Sequence, residues 1–526
     1  MPEQEAPATL ADVLDGLPIS VEQSKFVSSV FGNMMTNEVA AYFANGKARI
    51  PMPSTETMSY PQQSIIHAFW SLCLEWSEPG FKRQRQLTRY EKYQGIGAPS
   101  AFGKPSGWTK WQNAGNGLGA DLQIMCLRPA ECSWINIRIM HPVFHEIIEI
   151  LDSGDPQSHD FLFAAELNAL MPEAYLIENS RRDAITAIFN KYVPDSASTA
   201  IGVQCIADKF DTDGTCKQAG TNIEYKNEKG KGDSDPYMQN IGYFLQYWGS
   251  DNSGPRRHCC PWMLVEVLGQ EIGISGAVWA CDYPCVQPLS CNVPFLPVPA
   301  DNQARLKQAR ICMAIRHGFT TLKTFYSNVP TTENSQAGFP YVRNCNIQGH
   351  EVTLKYLRPM YPEVRKMLFV AQVGSDENFR VLVKFTDRYN EHAHNLAANA
   401  DLAPKLHCVK QVAGLQMVVM ELLENYRHWG VAVEKESELV RKQLHQFLDV
   451  FAQANLVHGD LRPPNILLKD SKLKVVDFDW TGTHGVDKYP IVVNPKETWA
   501  KGVQAACTMF KEHDQYMVSK LLADGD

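Results

Sequence analysis

Apolar positions recur with two different periods along this chain, and the period at each point predicts the element. Over residues 179–193 the side chains Ala184, Ile185, Ile188, Phe189 and Tyr192 return at helical spacing, which predicts a helix. Ile201 to Ile206 and Thr221 to Lys226 read as strands separated by a turn-rich stretch. A helix from Tyr237 to Trp248 follows the start signal Asp235-Pro236. Trp262 to Leu268 and Gly273 to Ala280 read as strands, Pro294 to Pro299 as a connector, and residues 302–316 as a linking helix. Further on, Arg380 to Phe385 and Gln416 to Val419 predict strands. Ile466 to Leu468 and Leu473 to Val476 predict a hairpin around a polar turn. Residues 1–20 are polar and Pro/Ala-rich and predict a disordered start, and Gly95 to Gly119 predicts loops. These patterns divide the chain into 1–20, an unassigned region 21–150, a domain 151–300, a linker helix and loop 301–334, and a domain 335–526. No internal repeat is visible.

Composition narrows the class. At 526 residues the prior is two to four domains, and 44% hydrophobic residues suffice for full cores. A net charge of −8 excludes a broad nucleic-acid coat, so any such binding needs a local patch. The basic run Lys82-Arg-Gln-Arg85 with Arg89 and Lys92 reads as a solvated helix face. The first residues carry no basic, apolar leader, and no apolar stretch of about 18 residues exists, which predicts an intracellular protein with no membrane contact. The fourteen cysteines are accordingly expected as reduced thiols. Cys259, Cys260, Cys281, Cys285 and Cys291 cluster with His258 but lack paired CxxC spacing, so buried thiols are expected there rather than zinc.

Near the C-terminus, Leu456-Val-His-Gly-Asp-Leu-Arg-Pro-Pro-Asn465 precedes the predicted hairpin, and Asp477-Phe-Asp479 ends it. Phosphoryl transfer from ATP needs a carboxylate at the incoming hydroxyl and two oxygen ligands that hold Mg²⁺ against the phosphates. Asp460 fits the first role, Asn465 and Asp477 the second, and the hairpin would return Asp477 beside Asn465. Upstream, Lys384 ends a strand and would touch the phosphates, with Glu391 as its candidate partner in the following helix. Met420-Glu421 ends another strand and reads as the hinge that receives adenine. In these residues the sequence resembles the protein-kinase-like superfamily, and specifically fungal protein-kinase-like proteins with an HGDxRxxN loop and a DFDW motif. The matching residues are Lys384, Glu391, His458, Asp460, Arg462, Asn465 and Asp477, followed by Trp480, Tyr489-Pro490, Asn494, Trp499 and His513-Asp514. The resemblance implies ATP, Mg²⁺ and a protein substrate, with Arg462 beside the catalytic Asp460 and His458 as a ring that holds the loop. Two departures stand out. No GxGxxG lies between the likely first two strands, where Tyr356 to Lys366 stands, and the text after Asp479 leaves a short C-lobe.

A second group of residues suggests metal-dependent phosphodiester chemistry, which needs carboxylates for Mg²⁺ and a cation near the scissile phosphate. Glu224 and Lys226 are two apart on a predicted strand and share a face. Asp208 would be the other carboxylate, with Asp211 or Asp213 as substitutes and Glu178 as a third acid. Taken alone, Glu-x-Lys on a strand is more often a surface ion pair. This arrangement resembles the PD-(D/E)XK nuclease-like superfamily, and Gln239 with Tyr243 resembles the QxxxY motif of its RecB-like members. Ala207 stands where the motif's name has proline. The pairing of both units in one chain is similar to that in Crinkler-type effector proteins, although their LxLFLAK header is absent.

The expected fold is therefore α+β and multidomain: a PD-(D/E)XK nuclease-like α/β core followed by a bilobal protein-kinase-like domain with a short C-lobe. The expected function is ATP-dependent phosphate transfer to a protein, Ser or Thr first, fused to a Mg²⁺-dependent nuclease-like domain that would take DNA or RNA. The competing expectation is an ATP-binding pseudokinase that regulates a nuclease or nucleic-acid-binding module.

Overall fold

The computed structural model describes residues 93–112, 124–128, 135–193, 215–216, 220–228, 233–250, 254–281, 283–297, 301–360, 367–431 and 437–523. All of these belong to one compact unit, Thr88–Asp526, and residues 1–87 lie outside the described residues. The predicted strand over 201–206 and Asp208, Asp211 and Asp213 also lie outside them.

The unit opens with short helices where loops were expected: α1 (Pro99–Phe102) and α2 (Pro105–Gln112). Pro99 occupies the first helical position of α1, where its fixed φ is helical and its missing N–H costs nothing. Then come α3 (Pro142–Ser153), α4 (Ser158–Leu170) and α5 (Glu178–Tyr192). The expected boundary near residue 150 thus falls inside α3, whose Val143, Phe144 and Ile147 are buried in the core of the following sheet.

That sheet holds β1 (Thr215–Cys216), β2 (Thr221–Lys226), β3 (Trp262–Leu268), β4 (Glu271–Ala280) and β5 (Tyr283–Pro288), in that spatial order, with β6 (Val293–Pro294) paired to β4. The strands β2 and β3 run parallel, which requires a crossover, and α6 (Pro236–Ser250) with the short α7 (Gly254–Arg257) supplies it. Alternation sorts the side chains by face. Ile223 and Tyr225 of β2 join the core made with α3, α4 and α5, whereas Leu264 of β3 joins the core made with Met238, Ile241 and Phe244 of α6. Asn222, Glu224 and Lys226 therefore face α6.

Arg181 of α5 is the ligature on the other side. It is buried and donates to the carbonyl oxygens of Met171 (2.7 Å), Gly269 (3.0 Å) and Glu173 (3.1 Å), to Asn227 Oδ1 (3.1 Å) and to Glu228 (3.1 Å). Arg181→Met should cost about 3–5 kcal/mol, because it strands these acceptors in a dry core. Urea unfolding measures it, and a cost under about 1 kcal/mol would show the site to be plastic.

The linking helix α8 (Asn302–Ser327) starts as expected, with the Asp301 carboxylate accepting from Ala304 N at 2.9 Å, but runs eleven residues past the expected end at 316. Its buried stripe continues through Ile311, Ile315, Gly318, Phe319 and Leu322. Gly318 does not break the helix; it lets α8 close on Met263 of β3 and Ile147 of α3, where a Cβ would come within 3.0 Å of both.

The second half begins with a six-stranded antiparallel sheet: β7 (Asn344–Ile347), β8 (His350–Pro359), β9 (Leu368–Val373), β10 (Asp376–Thr386), β11 (Leu406–Val412) and β12 (Leu415–Glu421), in the order β11-β12-β10-β9-β8-β7. It curls until its outer strands meet, and Lys410 Nζ of β11 donates to the Asn344 carbonyl of β7 at 3.2 Å. Val381, Val383, Phe385, Met417 and Val419 line the concave face, and that core is continuous with Ile137, Ile139 and Val143 of the first half. Lys384, Val418 and Met420 lie on the convex face, toward α9 (Glu391–Asn399).

The short C-lobe consists of β13 (Arg427–His428), α10 (Glu438–Gln453), β14 (Leu456–Val457), β15 (Ile466–Lys469), β16 (Lys472–Val475), β17 (Gly482–Thr483) and α11 (Lys511–Ala523). The expected hairpin is β15–β16, Ile466 opposite Val475. Among the described residues no helix is long and apolar enough to cross a membrane.

Candidate active site

Three short segments converge on the cleft between the curled sheet and α10. The first is β10, which presents Lys384. Its cross-strand partner is Val418, and Met420 lies two positions further on the same face, opposite Leu382. The chain then leaves the sheet at Glu421. Met420 is buried, while the Glu421 side chain turns outward and accepts from Lys405 N at 2.9 Å.

The second segment is the loop Val457 to Asn465. His458 is fully buried among Phe447, Phe451 and Phe478, and its Nδ1 accepts from Asp460 N at 3.2 Å. Burial pushes the His458 imidazole down to about 4, so it is neutral and serves as a structural ring. Asp460 is buried with both oxygens engaged. Arg462 Nε donates to Oδ1, and Arg462 Nη2 (3.0 Å) and Asn465 Nδ2 (2.7 Å) donate to Oδ2. Burial raises the Asp460 pKa and Arg462 opposes that rise. The Arg462 guanidinium in turn lies 5.5 Å from the Trp499 ring centroid.

The third segment is Asp477-Phe-Asp479. Val476 N donates to the Asn465 carbonyl at 2.9 Å, which brings the segment back beside the loop. Asp477 adopts a left-handed φ of +72°, a conformation that a non-glycine residue holds only where its surroundings enforce it. Phe478 enforces it. Fully buried, its ring stacks on His394 of α9 at 4.6 Å and meets His458 edge-on at 5.3 Å. His394 Nε2 donates to the Pro404 carbonyl (2.8 Å), so its Nδ1 accepts from the Tyr389 hydroxyl (2.6 Å), and α9 is locked to the segment.

These segments meet at Lys384, whose Nζ donates to Asp477 Oδ1 (2.7 Å) and Asp479 Oδ1 (2.6 Å). Burial alone would depress this ammonium's pKa, but Asp479 and Asp477 outweigh it and hold it above the ordinary lysine value. Asp479 also accepts from Thr386 Oγ1 (2.8 Å), and burial pushes its carboxyl up to about 6 against the pull of Lys384. The expected Lys384–Glu391 pair does not form. Glu391 is exposed in the first turn of α9, and the DFD segment supplies both carboxylates instead.

Sequence reasoning gave two residues here no role. Asp479 carried a visible signal, the second acid of Asp-Phe-Asp. Asp514 of α11 carried only its place in the matched His513-Asp514 pair. It is buried, and its carboxylate accepts from His458 N (2.6 Å) and Gly459 N (2.9 Å), fastening the loop from 56 and 55 positions away.

Asn465 spends its amide nitrogen on Asp460; its amide oxygen and the Asp477 carboxylate, which Lys384 also holds, are oxygen donors of the kind Mg²⁺ prefers. Among the described residues no three His, Cys, Asp or Glu side chains form a metal group, so a cation here would complete its shell with phosphate and water oxygens.

In the first sheet, Lys226 Nζ donates to Glu224 Oε1 at 2.6 Å, and Glu224 is fully buried. Glu224 is register partner to Glu266 of β3, whose carboxyl burial pushes up to about 8. Asn240 of α6 bridges Asn222 (2.6 Å) and Glu266 (3.2 Å). Gln239 and Tyr243 lie on the same helix and are buried, with Gln239 accepting from Ser234 at 2.8 Å. Glu178 opens α5, which packs on the opposite face through Ile185, Ile188 and Phe189. The Cys/His group does not converge: Cys259, Cys260 and Cys281 donate to the carbonyls of Met140, His258 and Gly338.

Comparison with known proteins adds a match over part of the chain. No curated protein matches this chain. Among solved structures, the chain is similar to the PK-1 kinase of Cydia pomonella granulovirus, at 16% identity over 32% of this chain and 69% of that one, with a TM-score of 0.25. The family model of the RIO domain, a family of atypical protein kinases, matches residues 375–484, which run from β10 through the Val457–Asn465 loop and the DFD segment to β17. The protein thus carries a kinase-like domain, built on the segments that hold Lys384, Asp460, Asn465 and Asp477.

Proposed function

We propose that the C-terminal domain transfers the γ-phosphate of ATP to a protein hydroxyl, a serine or threonine first. The observation that carries this is the convergence of Lys384, Asp477, Asp460 and Asn465 from three separate segments. Adenine enters at Met420 and Glu421, and Lys384 positions the phosphates. Asn465 and Asp477 would hold Mg²⁺, which would supply neutralisation of the charge on the phosphates. Asp460 orients the acceptor hydroxyl and takes its proton. Arg462, released from Asp460 as the acceptor arrives, presents its guanidinium to the transferring group. Labelled ATP tests this: the parent should incorporate phosphate, and Asp460→Asn should transfer about 10²- to 10⁴-fold more slowly. Equal labelling of both would refute it.

One observation favours a second reading, an ATP-binding pseudokinase. Both Asp460 oxygens and the Lys384 ammonium are already satisfied inside the protein. ATP binding without transfer to any acceptor would select it.

The same proposal gives the first sheet a Mg²⁺-dependent nuclease-like role on DNA or RNA, supported by the buried Glu224–Lys226 pair facing the crossover helix. Glu224→Gln should abolish Mg²⁺-dependent cleavage of single- and double-stranded oligonucleotides. Undiminished cleavage in the variant would remove Glu224 from the chemistry.

A further inference from the structure

The curled sheet has a seam, where β7 and β11 meet without a strand ladder between them. Lys410 crosses it to the Asn344 carbonyl, and a second pair faces across it: Cys345 on β7 and Cys408 on β11. Both are free thiols, Cys345 buried and Cys408 half-buried, and the Cys345 thiol donates to the Cys408 sulfur. The remaining cysteines around them serve carbonyls of their own neighbourhoods.

We propose that Cys345 and Cys408 are a redox modification site, and that peroxide converts them to a disulfide that closes the seam of the sheet. Their chemistry is unequal in the way such a pair requires. The bond from Cys345 draws the Cys408 thiol down to about 6, against its burial, and the Asn346 N–H and Lys410 add to the pull. Glu391 acts weakly the other way. Cys345 is pushed up, first by donating to Cys408 and then by burial. Cys408 is thus the more acidic of the two thiols and also the more accessible.

The steps balance. The Cys408 thiolate attacks one peroxide oxygen; the S–O bond forms, the O–O bond breaks, and hydroxide leaves. Cys345 then attacks the Cys408 sulfenic sulfur, forming the S–S bond, and its proton departs with the expelled hydroxide as water. Two electrons pass from the two sulfurs to one peroxide, and a dithiol reductant reverses the change. The bond ties the first strand after the linking segment to the strand that precedes β12 and the hinge.

The test is peptide mapping of the folded full chain after a short exposure to stoichiometric hydrogen peroxide, without reductant. The expected product is a Cys345–Cys408 linked peptide pair that dithiothreitol releases. In Cys345→Ser, Cys408 should stop at the sulfenic acid and react with dimedone; in Cys408→Ser, Cys345 should stay unmodified. Alkylation of Cys408 should already approach its plateau at pH 7. The inference is overturned if exposed Cys291 oxidises while no Cys345–Cys408 peptide appears. It is equally overturned if the linked peptides form only between molecules.

Discussion

Asp477→Ala protein is expected to incorporate phosphate from labelled ATP at least on the order of 10³-fold more slowly than the parent, with its fold intact. The loss follows from removing a carboxylate that the proposal gives to Mg²⁺, while Asn465 alone offers a single neutral oxygen. The intact fold follows from the doubled partner of Lys384. A buried lysine stripped of its only carboxylate would cost about 3–5 kcal/mol. Here Asp479 remains, 2.6 Å away and itself held by Thr386. The unfolding midpoint in urea should therefore move little. Full transfer by Asp477→Ala, with transfer lost in Asp479→Asn, would pass the metal role to Asp479.

Asp514→Ala should be the most damaging change outside the cleft. It leaves the His458 and Gly459 amides unpaired in a dry site, at about 1–3 kcal/mol each, and frees the loop that carries Asp460. Stability should fall by about 3–5 kcal/mol, and transfer by about 10²-fold even at temperatures where the variant is folded. Asp514 also leaves a pH signature. Burial pushes its carboxyl up to about 7, although the Gly459 and His458 amides pull the other way. The folded chain therefore binds this proton more tightly than the unfolded chain does. That contribution to stability is complete below the ordinary value of 3.8 and is lost as pH rises through 7. Asp514→Asn has no such proton. From pH 4 to pH 8 its stability relative to the parent should rise by about 4 kcal/mol. Parallel curves for the two proteins would show Asp514 to be ionised throughout.

The elements with a clean period were legible in the sequence, and so was any chemistry confined to one of them. The β15–β16 hairpin and the positions of Asp460, Asn465 and Asp477 around it belong to this class. So do β2 and the shared face of Glu224 and Lys226. What escaped depends on tertiary approach. Glu391 was matched to Lys384 by spacing, but the packing of Phe478 on His394 delivers Asp477 and Asp479 there first. Asp514 reaches the loop across half the C-lobe, and the matched His513-Asp514 pair marks its position but not its role. The linking helix was expected to end at 316, yet it runs on through Gly318, which is a contact point because Met263 and Ile147 surround it.

The apolar cluster that begins at Met125 and Ile137 does not stop before the curled sheet; it runs on through Phe369, Val383 and Met417. A chain organised this way is hard to take apart, by experiment or by descent. Trimming to the RIO-matched segment would bare the floor of its own sheet, so a recombination event that moved this segment alone into another gene would deliver an aggregation-prone fragment. The two halves are constrained to travel, diverge and be inherited together, and substitutions at Ile137 or Ile139 will be tolerated only with answering changes among the strands that carry Lys384.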